Sequence, residues 1–238
     1  MEEFEEINFD INEDENEEEP KKSRVLRYLK VIVLILVIIG LLNIFGLRNY
    51  FLYRITSPSF QQEKIETKVD TEILQVPLNI IVLTTVENGY GSKRNNESVL
   101  SLVRNAGVIW EQGGIKLVIK DVHFEEKSNT LLGELYRNPR LVLNNIQNLD
   151  NESINVLLVG NLGGINGVSF GGLNTVAVAD YTTVYDFRAL AHEVGHILGL
   201  SNVSESKGQL MYQGANGSNL TIEEVEIARE NAKIHGNK

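Results

Sequence analysis

The stretch Ala191–Leu200 reads AHEVGHILGL and contains two of the four histidines of the chain, four residues apart. Four residues make about one helical turn, so both imidazoles leave the same face of a helix and can bind one metal ion. Glu193 follows the first histidine directly. It projects to the side, where it can reach a metal-bound water rather than the metal itself. The stretch therefore predicts a helix that binds a metal.

An apolar side of the same helix indicates which face meets the protein core. At about 100° per residue, a set of apolar side chains lies within roughly 60° of Val194. His192 and His196 lie about 160° away on either side, apart from the apolar stripe. We therefore predict a helix from about Tyr185 to Leu200 that packs on the core and lines a cleft. The apolar set is Phe187, Leu190, Ala191, Ile197 and Leu198.

A glycine and a methionine follow the helix at informative distances. Gly199 lies three residues after His196, and Leu210-Met211-Tyr212 follows further on. With these residues, the stretch 180–213 resembles the metzincin clan of zinc peptidases, whose long zinc motif is followed by a methionine-bearing turn. The resemblance implies a metzincin-like fold, one catalytic Zn²⁺ bound by His192 and His196, Glu193 as the catalytic residue, and Met211 in the turn under the metal.

The third ligand position departs from the clan pattern, which has His or Asp where this chain has Asn202. An amide oxygen is neutral and is a poorer zinc ligand than imidazole or carboxylate. Three interpretations stay open. Asn202 coordinates weakly in an active enzyme, another residue supplies the ligand, or the site is degraded and the domain binds without cleaving. The other candidates are Asp180, Asp186, Glu223, Glu224 and His235.

The function that follows is zinc-dependent endopeptidase activity on a protein or peptide substrate. The resemblance implies hydrolysis of peptide bonds with a zinc-bound water, from which Glu193 removes the proton as general base. The alternative is a catalytically impaired, metzincin-like binding module, because an amide stands at position 202.

Composition excludes several other classes of protein. The chain has no cysteine, which excludes thiol catalysis, disulfides and cysteine-ligated zinc. The net charge is −10, but 11 of the 32 acidic residues lie between Glu2 and Glu19, and the rest of the chain is nearly neutral. With no basic stripe and a pI of about 5.0, we expect no nucleic-acid partner.

Strand and helix patterns alternate from Val76 onward, which predicts an α/β (α+β) fold with a mixed twisted sheet, an active-site helix and a C-terminal helix. A glycine-rich run, 163–172, precedes the last strand. In the metzincin-like interpretation, Gly167, Val168, Ser169 and Phe170 lie where the clan has an exposed edge strand, to which an extended substrate can add. A plain flexible loop is the alternative. We predict strands at 78–86, 115–124, 154–159 and 175–179, and helices at 97–112, 128–149 (broken near Pro139), 185–200 and from Asn219 or Thr221.

The amino-terminal part predicts a membrane anchor. Residues 31–47 are almost unbroken hydrocarbon, and counting from residue 25 gives a length that can cross a bilayer. Five basic residues precede this run and outnumber those after it, which predicts a cytoplasmic amino terminus and an extracytoplasmic C-terminal domain. The predicted organisation is an acidic disordered tail with a basic end (1–24), a transmembrane signal-anchor (25–47), a linker (48–75) and the metallopeptidase domain (76–238).

Overall fold

The computed structural model describes residues 30–34 and 72–236. The chain divides into two compact units, 1–48 and 49–238. In the first unit the described residues form a short helical segment, and all elements named below belong to the second. The predicted acidic tail and nearly all of the predicted linker lie outside the described residues, so the proposed domain boundaries stay predictions.

The predicted membrane anchor is not supported. Within residues 30–34 and 72–236, no helix is both long and apolar enough to cross a membrane. The predicted single-pass topology, with the membrane as a partner through 25–47, is therefore wrong on this finding. Most of the 25–47 segment lies outside the described residues.

The second unit is built on a five-stranded sheet with strand order β2-β1-β3-β5-β4. Four strands run parallel, and β4 pairs antiparallel with β5 at the edge. This confirms the predicted mixed α/β architecture. The elements are β1 Leu74–Thr84, α1 Asn96–Trp110, β2 Ile115–Glu126, α2 Asn129–Gly133, α3 Pro139–Leu143, β3 Ile154–Val159, β4 Gly167–Phe170, β5 Thr175–Ala179, α4 Asp186–Ile197 and α5 Ile222–Gly236.

Both faces of the central strands are buried, as expected for a parallel sheet covered on each side. In β1, Ile80 and Val82 face a core shared with α1, α4 and α5. Ile81 and Leu83, which alternate with them, face a second core with residues of α2 and α3 such as Leu132. The larger core holds α4 against the sheet, so the histidine-bearing helix packs on the larger of the two cores.

Two predicted helices are shorter than expected, for local reasons. The region 128–149 contains two five-residue helices, since Asn138 and Pro139 start α3 with a side-chain cap on the Leu141 N–H and a proline in the first turn. Helix α4 ends at Ile197 because Gly199 adopts a left-handed φ of 85°. The start of α5 matches the prediction, with Thr221 and Glu224 capping each other reciprocally.

Two buried asparagines connect the central strands to the loop before β3. The Asn79 side-chain N–H donates to the Asn155 side-chain oxygen (2.8 Å) and to the Asn148 carbonyl (2.6 Å). The Asn155 side chain in turn accepts from the Asp150 N–H and donates to the Asp150 carbonyl, each at 2.8 Å. Both side-chain amide nitrogens and the Asn155 side-chain oxygen therefore have partners, as burial requires.

Asn155→Ala should lower the free energy of unfolding by about 2–4 kcal/mol, because it removes one of the two acceptors of the Asn79 amide and leaves both Asp150 backbone groups without this partner. Urea unfolding followed by circular dichroism measures this. Asn79→Ala/Asn155→Ala should cost clearly less than the sum of the single substitutions, since the two side chains act as one network. Additive costs would show that the pair is not coupled.

Candidate metal-binding and catalytic site

Helix α4 brings the predicted metal-binding residues into the interior of the second unit. Phe187, Leu190 and Val194 pack in the larger core, as the apolar stripe predicts. His192 and Glu193 are also buried, at 5% and 8% exposure, whereas His196 is half-buried. The helix is thus enclosed on more sides than its amphipathic pattern suggests, and only part of its histidine face reaches solvent.

Both histidine rings are hydrogen-bonded to backbone carbonyls, in each case through Nδ1. His192 Nδ1 lies 2.8 Å from the carbonyl oxygen of Leu210, and His196 Nδ1 lies 2.8 Å from that of Leu200. A carbonyl can only accept, so each Nδ1 carries a proton and donates. In neutral imidazole, Nε2 then keeps its lone pair. This tautomer and this kind of support are typical of metal-binding histidines.

Burial also favours the neutral form of the His192 ring. It lowers the pKa of His192 to about 4, although the hydrogen bond to the Leu210 carbonyl acts in the opposite direction. His192 is therefore neutral at physiological pH, as a metal ligand must be. The two rings lie edge to face, with centroids 4.8 Å apart, so the two imidazoles are neighbours on one turn.

The glycine after the helix allows the second of these hydrogen bonds. At Gly199 the chain turns in a left-handed conformation, and the Leu200 N–H returns to the Gly195 carbonyl at 2.9 Å. The Leu200 carbonyl thereby reaches His196. The turn at Gly199 thus ends the helix before the predicted limit at Leu200, and it also orients a histidine.

The methionine of the predicted turn lies directly beneath the helix. Met211 is fully buried, and a Cβ atom added to Gly195 would come within 2.7 Å of its sulfur. Glycine at position 195 thus permits close packing between the helix and the turn. The preceding residue, Leu210, supplies the carbonyl that holds His192, so the turn supports the histidine from below.

A buried arginine holds the turn in place. Arg188, at 3% exposure, donates to the carbonyls of Leu210 (2.5 Å), Tyr212 and Gly217 (3.2 Å). Burial lowers its pKa to about 10, so it remains charged at neutral pH. The sequence prediction missed this residue. A single cation among the apolar residues that precede the histidines was the available signal.

The side chain of Glu193 extends from α4 toward the edge strand β4. Burial raises the pKa of Glu193 to about 7, while the nearby Arg188 charge acts to lower it. A Cβ atom on Gly167 would lie 2.8 Å from Glu193 Cγ. Glycine at the start of β4 therefore leaves room for the carboxylate.

One open cavity of about 480 Å³ joins these groups. Its lining includes His192, Glu193 and His196, together with the predicted substrate edge at Gly167, Val168 and Ser169. The strand is present where the prediction allowed either a strand or a loop, and one side of β4 has no strand partner in the described sheet. Two lining residues were not predicted, Tyr136 and Gln213. Neither carries a sequence signal that singles it out.

Asn202 lies at the surface beside the first histidine. Its side chain is exposed and within hydrogen-bonding reach of the His192 ring. Three of the alternative third ligands are engaged in other contacts. Asp180 and Asp186 pair with Arg94 at 2.8 and 3.0 Å, and Glu224 caps α5. Phe170 lies at the far end of β4, outside the histidine-lined cavity.

Across residues 30–34 and 72–236, no group of three or more His, Cys, Asp or Glu side chains could hold a metal ion. The donors that fit a metal are two imidazoles with free Nε2 atoms and a neighbouring amide. Imidazole suits zinc well, whereas a neutral amide is a weak third donor. The residues present therefore fit a zinc ion that is held mainly by two histidines.

Comparison with known proteins gives structural neighbours only. No protein-family model matches the chain, and no curated protein does. Among solved structures it is similar to archaemetzincin from Methanopyrus kandleri, at 13% identity and a TM-score of 0.48, over 69% of this chain and 97% of that one. It is also similar to metalloproteinase-II from Bacteroides fragilis, at 15% identity and a TM-score of 0.40, over 67% and 53% of the two chains. A third neighbour is a chain from a chaperone-substrate complex, at 19% identity and a TM-score of 0.45, over 69% and 35%.

Arg188→Met should lower the free energy of unfolding by about 3 kcal/mol, because it removes a charged donor from buried carbonyls while filling most of the same space. Chemical denaturation of the full-length chain measures this. Arg104→Met, at an exposed position of α1, is the matched control and should change stability by less than about 0.5 kcal/mol. Equal stability of the Arg188 variant and the control would contradict the anchoring role.

Proposed function

We propose that this chain is a metzincin-like zinc endopeptidase, in which His192 and His196 bind one Zn²⁺ and Glu193 is the general base. One observation carries the proposal. Two imidazoles one turn apart are both fixed through Nδ1 by backbone carbonyls, which leaves both Nε2 atoms free, and a buried glutamate stands between them. A surface histidine pair would have no need of such support, whereas metal ligands are regularly held in this way.

The substrate class follows from the edge strand beside the histidines. β4 borders the same cavity, and within the described part of the chain its outer side pairs with no other strand. An extended peptide can add to such an edge by main-chain hydrogen bonds, which bind a peptide backbone whatever its sequence. A peptide held there passes next to Glu193, which contacts the start of β4.

Glu193 is suited to move a proton in this setting. Its raised pKa, about 7, lies near the pH at which a general base is most effective. It takes the proton from the attacking water and returns it to the leaving amine. A bound zinc ion supplies Lewis acidity, which polarises the scissile carbonyl and makes water more acidic. His192 and His196 would hold that ion. Arg188 and the buried Met211 fix the turn whose Leu210 carbonyl positions the His192 ring.

Asn202 is the third ligand in this proposal. Its nearness to His192 supports the assignment, and its neutrality implies weaker zinc retention than a histidine or aspartate would give. The same neutrality favours a second candidate function, a binding module that keeps the fold and has lost catalysis. The lack of a three-residue His, Cys, Asp or Glu cluster in the described ranges also favours this module.

Glu193→Gln should reduce hydrolysis of a quenched fluorescent peptide by at least about 100-fold, because it removes the general base. Zinc content should remain near one ion per chain, measured on the purified full-length protein by elemental analysis. Full activity in the variant would exclude the base role. A wild-type protein that retains no zinc after incubation with excess metal would favour the binding module.

Asn202→His should tighten zinc retention, since imidazole is a stronger donor than an amide. Competition with a chromophoric chelator measures the change, and we expect at least about a 10-fold lower dissociation constant, in line with the effect of ligand-shell changes on metal affinity. Asn151→His, at another exposed asparagine, serves as the control. Unchanged retention in Asn202→His would show that position 202 is not a ligand.

A further inference from the structure

A second cavity, of about 530 Å³, adjoins the one that contains the histidines. The two share Gly171 in their linings, and the second continues past the end of β4. Its polar part comes from Arg137 and Arg140, and Phe170 and Leu173 contribute apolar surface. The connected cavities form one long cleft along the edge strand, with the proposed catalytic residues at one end.

Two arginines without an ion-pair partner in the described part of the chain make this second cavity positively charged. Arg137 and Arg140 are both exposed, and within the described part of the chain neither forms an ion pair with a carboxylate. The lining itself contains no acidic residue. Guanidinium groups bind carboxylates with a fork of N–H donors, often in a bidentate manner. The cavity is therefore complementary to an anionic side chain.

The position of the second cavity along β4 determines how far it lies from the scissile bond of a bound peptide. Glu193 contacts Gly167, whereas the second cavity begins at Phe170 and Gly171, three to four residues further along the chain. A peptide that pairs with β4 advances at nearly the same rise, about 3.3 Å per residue. A peptide side chain three or four residues from the scissile bond thus reaches the arginines.

We propose that Arg137 and Arg140 form a specificity subsite for an Asp or Glu side chain, three or four residues from the scissile bond of the substrate. This inference rests on the proposed endopeptidase function and adds the class of substrate: extended peptides with an acidic residue at that distance. The aromatic ring of Phe170 packs beneath the subsite as part of the smaller core, which gives the acidic side chain a firm apolar wall on one side.

A set of quenched fluorescent peptides tests this on the full-length protein. One Glu is moved through each position of an otherwise uncharged ten-residue sequence, and each peptide has a matched version with Gln. Cleavage should be roughly 3- to 10-fold faster for Glu than for Gln at the third or fourth position from the scissile bond, as partly exposed ion pairs allow. The preference should weaken at high salt because exposed charges are screened.

Charge reversal identifies the residues responsible. Arg137→Glu/Arg140→Glu should remove or invert the preference, measured as the ratio of the cleavage rates of the Glu and Gln peptides. The matched control is Arg104→Glu, an exposed arginine that borders a separate cavity with α1 and β2, and it should keep the preference. If the wild type cleaves the peptides, a preference that is absent, or that survives the double substitution, overturns the subsite.

A binding measurement tests the subsite independently of the proposed catalytic activity. Glu193→Gln should bind the Glu peptides more tightly than the Gln peptides, measured by fluorescence anisotropy without turnover. If the wild type cleaves no peptide but this difference in binding is present, the subsite stands and the hydrolase proposal fails. If neither cleavage nor binding distinguishes the two peptide series, the subsite is excluded whatever the outcome for catalysis.

Discussion

The carbonyl oxygen of Leu210 is the contact on which the site depends. It accepts from the His192 ring and from the buried guanidinium of Arg188, both of which lie on α4. Helix and turn are thereby connected through one backbone atom, and the buried Met211 next to it fills the space under Gly195. Because an oxygen with two lone pairs satisfies both donors, the arrangement buries a charge and an imidazole without leaving a polar group unpaired.

Much of the architecture was predictable because the signals are local. Continuous runs of branched apolar residues predicted β3 and β5 with their observed limits, and periodic apolar residues predicted α1 and α4. The ends of helices and strands were harder to predict, because they depend on individual capping residues and on backbone φ angles such as that of Gly199. The membrane prediction rested on an apolar run and its flanking basic residues, and no helix within residues 30–34 and 72–236 is both long and apolar enough to cross a membrane.

The site was predictable where its residues are close in sequence. His192, Glu193 and His196 share one helical turn, so spacing alone brought them together. Arg188 was missed because its partners, the backbone carbonyls of the turn, come from more than 20 residues further along the chain and leave no trace in side-chain pattern. Tyr136 and Gln213 join the cavity through tertiary folding alone, which no local pattern reports.

The shortness of β4 limits what this cleft can accept. Four residues span about 13 Å, so the strand offers backbone groups to only a few residues of a partner chain. A segment that is already helical, or already paired within a sheet, has no free N–H and C=O groups to exchange with it. In the proposed function, the partner would therefore have to present a locally unfolded stretch, such as a surface loop, a terminus or a linker between domains, and a tightly folded globule would resist cleavage until part of it opens.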